Sequence, residues 1–368
     1  VIDEAHLVPP FEHLVRAIAG DDALWAAGQA LIRRPHLLSL SATGRADPAR
    51  AIFRLTDEDR AVPAVRTRLD AVKTLRLIKA QPKTLVERLA GEALARAHAT
   101  GPCRIAVFCN SRANALAVRE IIRKTLKQAR QTGNILLLTG ARRVKEREYL
   151  FGQLDAAGFF AANKPPEHPV FLIATSAGEV GVDLDADHMV ADLVPAERMI
   201  QRLGRVNRKG GAARRAEIRV IVDPKALQET AKFSGVAETA MREPWNALDG
   251  HVVGPRALAD FKAANADLIA AASTPEPLRP PLTRAHVDAW AMTSLDDHPG
   301  RPDDLTPWLR GWVQDDQPQT TLIWRTHLPE PADANAVDPA TRSALETLLQ
   351  AAPPHLSEQL EIAASDAA

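Results

Sequence analysis

The chain has 368 residues, of which 46% belong to the apolar set and 25% are charged. At about 100–200 residues per domain, that is enough for two compact domains and an appendage. Composition and the lack of any apolar run near about 18–20 residues exclude disordered, collagen-like and membrane-spanning classes, and no signal-peptide pattern opens the chain, so a cytoplasmic protein without a membrane partner is expected. The net charge of zero hides a division: residues 1–99 hold 15 Lys and Arg against 12 Asp and Glu, residues 100–215 hold 19 against 11, and residues 216–368 hold 12 against 23. The basic middle block can attract a phosphate backbone, although a solvated basic face has the same signature.

Val1-Ile2-Asp3-Glu4 reads as the end of a buried strand whose beginning lies upstream, since a strand needs about five or six residues. Apolar runs then alternate with amphipathic stretches. The runs are His36–Leu40, Val72–Ile78, Ile105–Cys109, Ile135–Leu138, Val170–Ala174, His188–Asp192 and Ile218–Val222. Helices are expected over Thr84–His98, Ala113–Arg130, Lys145–Leu154 and Ala196–Val206. Continuous apolar strands separated by helices predict a doubly wound parallel α/β sheet, with ligands at the carboxyl ends of the strands. Cys103 and Cys109 sit six apart in one such run, too far along a strand to bridge, and read as reduced core residues.

From Pro224 the texture changes to Ala-rich helices (Ala226–Lys232, Val236–Leu248, Arg256–Ala272) and then to proline-rich punctuation at Thr274–Pro281. Leu282–Leu328 carries four of the six tryptophans, Trp290, Trp308, Trp312 and Trp324, and reads as a small module with a Trp core, or else a stacking platform for bases. The residues from Pro329 on, rich in Ala, Pro and Asp, read as a tether.

Three segments carry chemistry. Asp3-Glu4-Ala5-His6 follows a strand end, where one carboxylate can hold Mg²⁺ through water and the next can orient the water that attacks a γ-phosphate. Ser41-Ala42-Thr43 again follows an apolar run. The helix in the segment Phe171–Arg208, FLIATSAGEVGVDLDADHMVADLVPAERMIQRLGRVNR, is expected to place Gln201, Arg205 and Arg208 at i, i+4 and i+7, on one face, as a polar row able to meet a triphosphate. Arginine suits a triphosphate because its planar fork spans phosphate oxygens and stabilises transition-state charge. Gly204 strains such a helix unless it ends it.

In this order and spacing, D-E-A-H, S-A-T, A-T-S-A-G-E-V-G-V-D-L-D and Q-R-L-G-R-V-N-R resemble motifs II, III, V and VI of superfamily 2 helicases, most of all the helicase–nuclease of type I CRISPR systems. The resemblance covers about residues 1–222. It implies a RecA-like P-loop NTPase fold: the remainder of a first RecA-like domain (1–70), a complete second one (71–224), a helical extension and linker (225–281), an accessory module (282–330) and a tail (331–368). It implies ATP and Mg²⁺ as cofactors, with Asp3 helping to hold the metal, Glu4 as base, and Arg205 and Arg208 as arginine fingers. His6, Gly181, Asp183 and Gln201 would meet the nucleotide, with His6, Ser41 and Thr43 coupling hydrolysis to motion. Nucleic-acid backbone contacts would come from Asn110, Ser111, Arg112, Thr139, Gly140 and Thr175, residue types that hold phosphates without reading bases. The implied partners are single-stranded DNA and a CRISPR RNA-guided surveillance complex, and a monomer is expected.

The chain departs from the family pattern in two ways. No G-x-x-x-x-G-K-[S/T] loop occurs in the 368 residues, so the intact protein is expected to be the ATPase and this piece alone inactive. No His is followed directly by Asp, so the His-Asp pair of a metal-dependent nuclease is absent here; His286, His298, His327 and His355 read as solvated or capping residues. An RNA helicase of the DEAH type, or a non-catalytic nucleic-acid adaptor derived from a helicase, remain alternatives.

Overall fold

The computed structural model describes residues 1–20, 22, 33–41, 53–140, 142–160, 166–292, 294, 305–312, 319–325, 327–329 and 338–363. After a short 3-10 turn at Ala5–Leu7, the helices α1 (Pro9–Gly20), α2 (Asp57–Ala61) and α3 (Pro63–Leu69) precede the sheet. The main body then runs β1 (Val72–Lys79), α4 (Leu85–Thr100), β2 (Arg104–Phe108), α5 (Arg112–Gln128), β3 (Asn134–Leu138), α6 (Val144–Ala156), β4 (Val170–Ala174), β5 (His188–Asp192), α7 (Ala196–Leu203) and β6 (Arg215–Val222). Every pairing is parallel and the strand order is β1-β6-β5-β2-β4-β3. Strands β2, β4 and β5 are buried along their whole length, which is why they read as unbroken apolar runs rather than alternating ones.

Two cores cover the two faces of the sheet. One is built from α4 and α5 through Leu85, Leu89, Ala115, Val118 and Ile122; the other takes Leu150 and Leu154 of α6 and Met199 and Leu203 of α7. Strand β2 therefore leads into a helix on one face, and its neighbour β5 into a helix on the other. The carboxyl ends of β2 and β5 form the switch point at which doubly wound sheets bind ligands. The expected α/β architecture is the observed one.

The Ala-rich region folds as α8 (Pro224–Ser234), α9 (Glu238–Leu248), α10 (Pro255–Ala264) and α11 (Ala266–Ala271), the last two parting at Asn265. These helices belong to the main core: Trp245 is fully buried in it with Met241 and Leu258, and Val252 bridges Thr74 beside β1. The remaining elements are α12 (Arg284–Ala291), α13 (Thr306–Arg310), β7 (Gln319–Ile323), α14 (Pro339–Ala351) and β8 (Gln359–Ala363).

Three expectations are revised. His36–Leu40 forms no strand; a single parallel bridge joins Ser39 to Ile2, with Leu38 and Leu40 exposed. The helix expected over Ala196–Val206 ends at Leu203. The stretch read as a tether holds α14, and its β8 pairs antiparallel with β7, so a boundary at 330/331 separates two paired strands. Of the module's tryptophans, Trp290 and Trp308 meet edge-to-face at 5.2 Å with the His286 ring beside both, and α13 packs on α1. Trp312 and Trp324 stay largely exposed. His286 and His355 cap helical turns.

Candidate nucleotide cleft and nucleic-acid edge

The acidic pair leaves the Ile2 bridge in an unusual conformation. Glu4 has a φ of 48°, in the left-handed region that non-glycine residues seldom occupy, and its N–H donates to Asp3 Oδ1 at 2.9 Å. Glu4 Oε2 is buried, accepts no hydrogen bond, and lies 3.4 Å from His6 Nδ1. The His6 ring joins two distant motifs: Nδ1 is 2.9 Å from Ser41 Oγ, and Nε2 is 2.5 Å from the Gln201 amide nitrogen. Burial holds His6 below its ordinary pKa against the pull of Glu4 and Glu197. A neutral imidazole accepting at Nε2 from Gln201 and donating from Nδ1 to Ser41 satisfies both contacts. Thr43 lies outside the described residues.

The arginines at the end of the segment arrive by a turn. Gly204 caps α7, and the buried Lys73, its amine pushed down to about 8 by burial, donates to the Leu203 carbonyl at 2.7 Å. Val206 bridges Ala186, and Asn207 takes a left-handed φ of 43°. Gln201, Arg205 and Arg208 therefore do not share one helix face, yet the turn brings the two arginines together. Arg208 Nη2 lies 3.0 Å and Arg205 Nη1 3.8 Å from Asp183 Oδ1. Burial and then the neighbouring Arg208 lower the Arg205 pKa, and the Asp183 and Glu4 carboxylates oppose them. Gly181 nearby has a φ of 75° with open space over its Cα.

The alternating D-L-D-A-D sorts its carboxylates by depth. Asp183 is 82% exposed and faces the arginine turn, whereas Asp185 is fully buried and accepts from the Arg208 N–H and from Arg214. Asp187 receives Arg104 and Arg214. Only the outermost carboxylate is open to the cleft.

Behind the turn lies a buried charge network that the sequence reading missed. Arg198 grips the Glu179 carboxylate with two hydrogen bonds of 2.9 Å, and Arg202 Nε donates to Glu179 Oε1 at 2.7 Å. Arg202 Nη1 also donates to the carbonyl and carboxylate of Asp192, and its guanidinium lies 5.3 Å from the Phe108 ring centroid. Two carboxylates thus face two guanidinium groups at the ends of β2 and β5.

The residues read as nucleic-acid contacts line the carboxyl ends of β2, β3 and β4. Ser111 caps α5 by accepting the Asn114 N–H, Arg112 and Gly140 are exposed, and Thr139 and Thr175 are buried at strand ends. Asn110 is committed to protein partners: its carbonyl accepts from Arg198 Nη1 at 2.6 Å, its amide donates to Thr230 Oγ1, and its N–H donates to Asp192. Arg142, also unread in the sequence, is half-buried at this edge; burial lowers its pKa, Glu146 opposes that, and the like charges of Arg112 and Arg119 add to it. Clustered guanidinium groups of this kind favour an anion. Among the described residues no group of three or more His, Cys, Asp or Glu is arranged to hold a metal ion.

Residues 103–211 match the family described as CRISPR-associated nuclease/helicase Cas3, C-terminal. A curated relative from Myxococcus xanthus (strain DK1622), described as "Putative CRISPR-associated nuclease/helicase Cas3", is 44% identical over 52 residues, 14% of this chain and 7% of the relative. Among solved structures, T. fusca Cas3 with AMPPNP superposes with a TM-score of 0.54 at 17% identity, covering 73% of this chain and 35% of that one. A chain of a CRISPR RNA-guided surveillance complex, pre-nicking, gives a TM-score of 0.55 at 14% identity, covering 98% of this chain and 49% of its own. At those identities the likeness is one of fold. The chain spans less than half the length of each of these relatives. The Cas3-like resemblance read from the motifs is shared by the matched family, whose span holds motifs V and VI.

Proposed function

We propose that this chain supplies motif II and a complete second RecA-like domain to an ATP-dependent helicase or translocase that moves on single-stranded DNA in CRISPR interference. The observation that carries this reading is the contact between chain positions 6 and 201: His6 meets Gln201 at 2.5 Å, which brings the acidic segment against the helix that leads into the arginine turn. An acidic pair and an arginine turn brought to one cleft are what ATP hydrolysis requires.

In this reading ATP lies between Asp3-Glu4 and the Arg205–Arg208 turn. Glu4, whose buried Oε2 has no hydrogen-bond partner, orients and deprotonates the attacking water. Arg205 and Arg208 leave Asp183 for the γ-phosphate, and Gly181 and Asp183 border the ribose. Asp3, exposed beside Glu4, suits a Mg²⁺ held through water by one carboxylate and the phosphates. The metal would neutralise charge on the phosphate oxygens. His6, linked to both Ser41 and Gln201, reports the state of the cleft to both halves. The strand-end loops, with Arg142 and with Arg112 and Arg119 of α5, hold the DNA backbone independently of sequence, so affinity should fall steeply with salt.

No described helix is long and apolar enough to cross a membrane. A cytoplasmic place, a monomeric state and docking to an RNA-guided surveillance complex complete the proposal. The test is ATP turnover by the full-length protein with single-stranded DNA or RNA added. Stimulation by DNA supports the reading, stimulation by RNA alone supports an RNA helicase, and none at all leaves an adaptor. The isolated chain, without a phosphate loop, should not turn over ATP.

A further inference from the structure

We propose that Glu179 is a positioning residue that ties the nucleic-acid edge of the sheet to the pose of Arg205, its side chain holding one site and its own carbonyl the other. This rests on the helicase reading above and names the link between its two sites.

The link is continuous at hydrogen-bond distance. Asn110, in the loop after β2, accepts from Arg198 Nη1 at 2.6 Å; Arg198 grips the Glu179 carboxylate at 2.9 Å twice; and the Glu179 carbonyl accepts from Arg205 Nε at 2.8 Å and Nη2 at 2.6 Å. Glu179 is 2% exposed, so its carboxylate has no water to replace a lost guanidinium. Its backbone is equally constrained. Gly178 lies so close to the sheet that a Cβ there would come within 2.8 Å of Ala174 Cβ and 3.2 Å of the Phe108 ring. Arg202 anchors the same carboxylate from the far side, bonded to Glu179 and Asp192. A shift of the Asn110 loop toward a bound phosphate therefore pulls on Arg198, the one member of the network that is a quarter exposed and able to move. Charge-assisted bonds are directional, so Glu179 must turn with Arg198 or be left, buried, with Arg202 alone, and either changes the carbonyl that aims Arg205. The network lies at the switch point between β2 and β5, where both sites share a wall.

The experiment compares full-length protein with Glu179→Gln, Arg198→Gln and the double variant, using whichever of single-stranded DNA or RNA stimulates the wild type. The readout is the ratio of maximally stimulated to unstimulated ATP turnover. Each single variant should lower that ratio about tenfold, with the double variant no worse than about twofold beyond either single. The nucleic-acid concentration for half-maximal stimulation and the KM for ATP should each move less than about threefold, a split that mere loss of folded protein does not produce. A ratio within about twofold of wild type in either single variant, or losses that multiply in the double, overturns the proposal. Should Glu179→Gln fail to fold, Arg198→Gln decides by the same criterion. Unstimulated wild type overturns the helicase reading and this inference with it; stimulated wild type with equally stimulated variants overturns this inference alone.

Discussion

Four arginines within eleven residues divide into two pairs. Arg198 and Arg202 are held by carboxylates that are themselves buried, and Arg202 is fully inaccessible. Arg205 and Arg208 instead share one exposed carboxylate, Asp183, and Arg205 is held besides only by a neutral carbonyl, that of Glu179. Residue type is identical; what differs is the number and burial of the anions. The inner pair has its charge fully matched and acts as a frame, whereas the outer pair faces a single acid that a triphosphate can outcompete. A basic segment therefore cannot be read as one functional surface: the part that binds and the part that holds the binder alternate along it.

This contrast can be broken by substitution. The largest effect should be on the outer pair: in the full-length protein, Arg205→Ala should lower nucleic-acid-stimulated ATP turnover about 10³-fold or more, as loss of an arginine finger does elsewhere, measured by steady-state phosphate release. Arg202, the fully buried member of the inner pair, should instead show in stability. Arg202→Met leaves Glu179 with one guanidinium and Asp192 with none, and should destabilise the chain by about 3–5 kcal/mol in urea unfolding. A turnover defect in Arg202→Met without a shift in its unfolding midpoint would erase the distinction.

Much of the fold is legible in the sequence because burial on both faces makes a strand a run of consecutive apolar residues. His188–Asp192 and Val170–Ala174 coincide with β5 and β4 residue for residue. The run His36–Leu40 has the same composition but a single bridge and an exposed Leu38, since pairing depends on neighbours that periodicity does not reveal. The end of α7 was hard to read for a related reason. The apolar spacing runs on through Val206, and only the Lys73–Leu203 bond and the left-handed Asn207 show where the helix stops. Gly204 was the available signal. The meeting of His6 with Gln201 follows motif order, but the Glu179–Arg198–Arg202–Asp192 network has no such signature. Its four members lie on two elements, β5 and α7, and a loop that the fold brings together. Asn110 was singled out as a phosphate ligand, and the structure commits its side chain to Arg198 and Thr230.

Acid sharpens the contrast between frame and cleft. His188, buried at the start of β5, accepts the Glu217 N–H at Nδ1, and its pKa is pushed down to about 4, by burial first and then by Arg96, with Arg219 and Arg214 adding to this against Asp187. Because the unfolded chain binds this proton more readily, stability is fully present above about pH 6.5 and falls as acid is added toward pH 4. Between pH 6.5 and 5 the loss from this group should be about 1.5 kcal/mol. Urea unfolding at the two pH values should show a shallower slope in His188→Gln, which keeps an acceptor but no titrating group there, than in the wild type; what remains has the same sign and includes His6, also held below its ordinary pKa.

The smallest expected effect tests the outer pair directly. Arg208 is 41% exposed and its partner Asp183 more so, so their ion pair is screened by water and side-chain freedom, and Arg208→Ala should change the unfolding free energy by less than about 1 kcal/mol. The same substitution should still weaken turnover in the full-length protein, because the guanidinium matters only once a triphosphate displaces Asp183. Asp183→Asn frees Arg208 and leaves Arg205 on the Glu179 carbonyl, and should leave the unfolding midpoint within error. If Arg208→Ala proves as destabilising as Arg202→Met, the arginine turn belongs to the frame, and the cleft must take its positive charge from elsewhere.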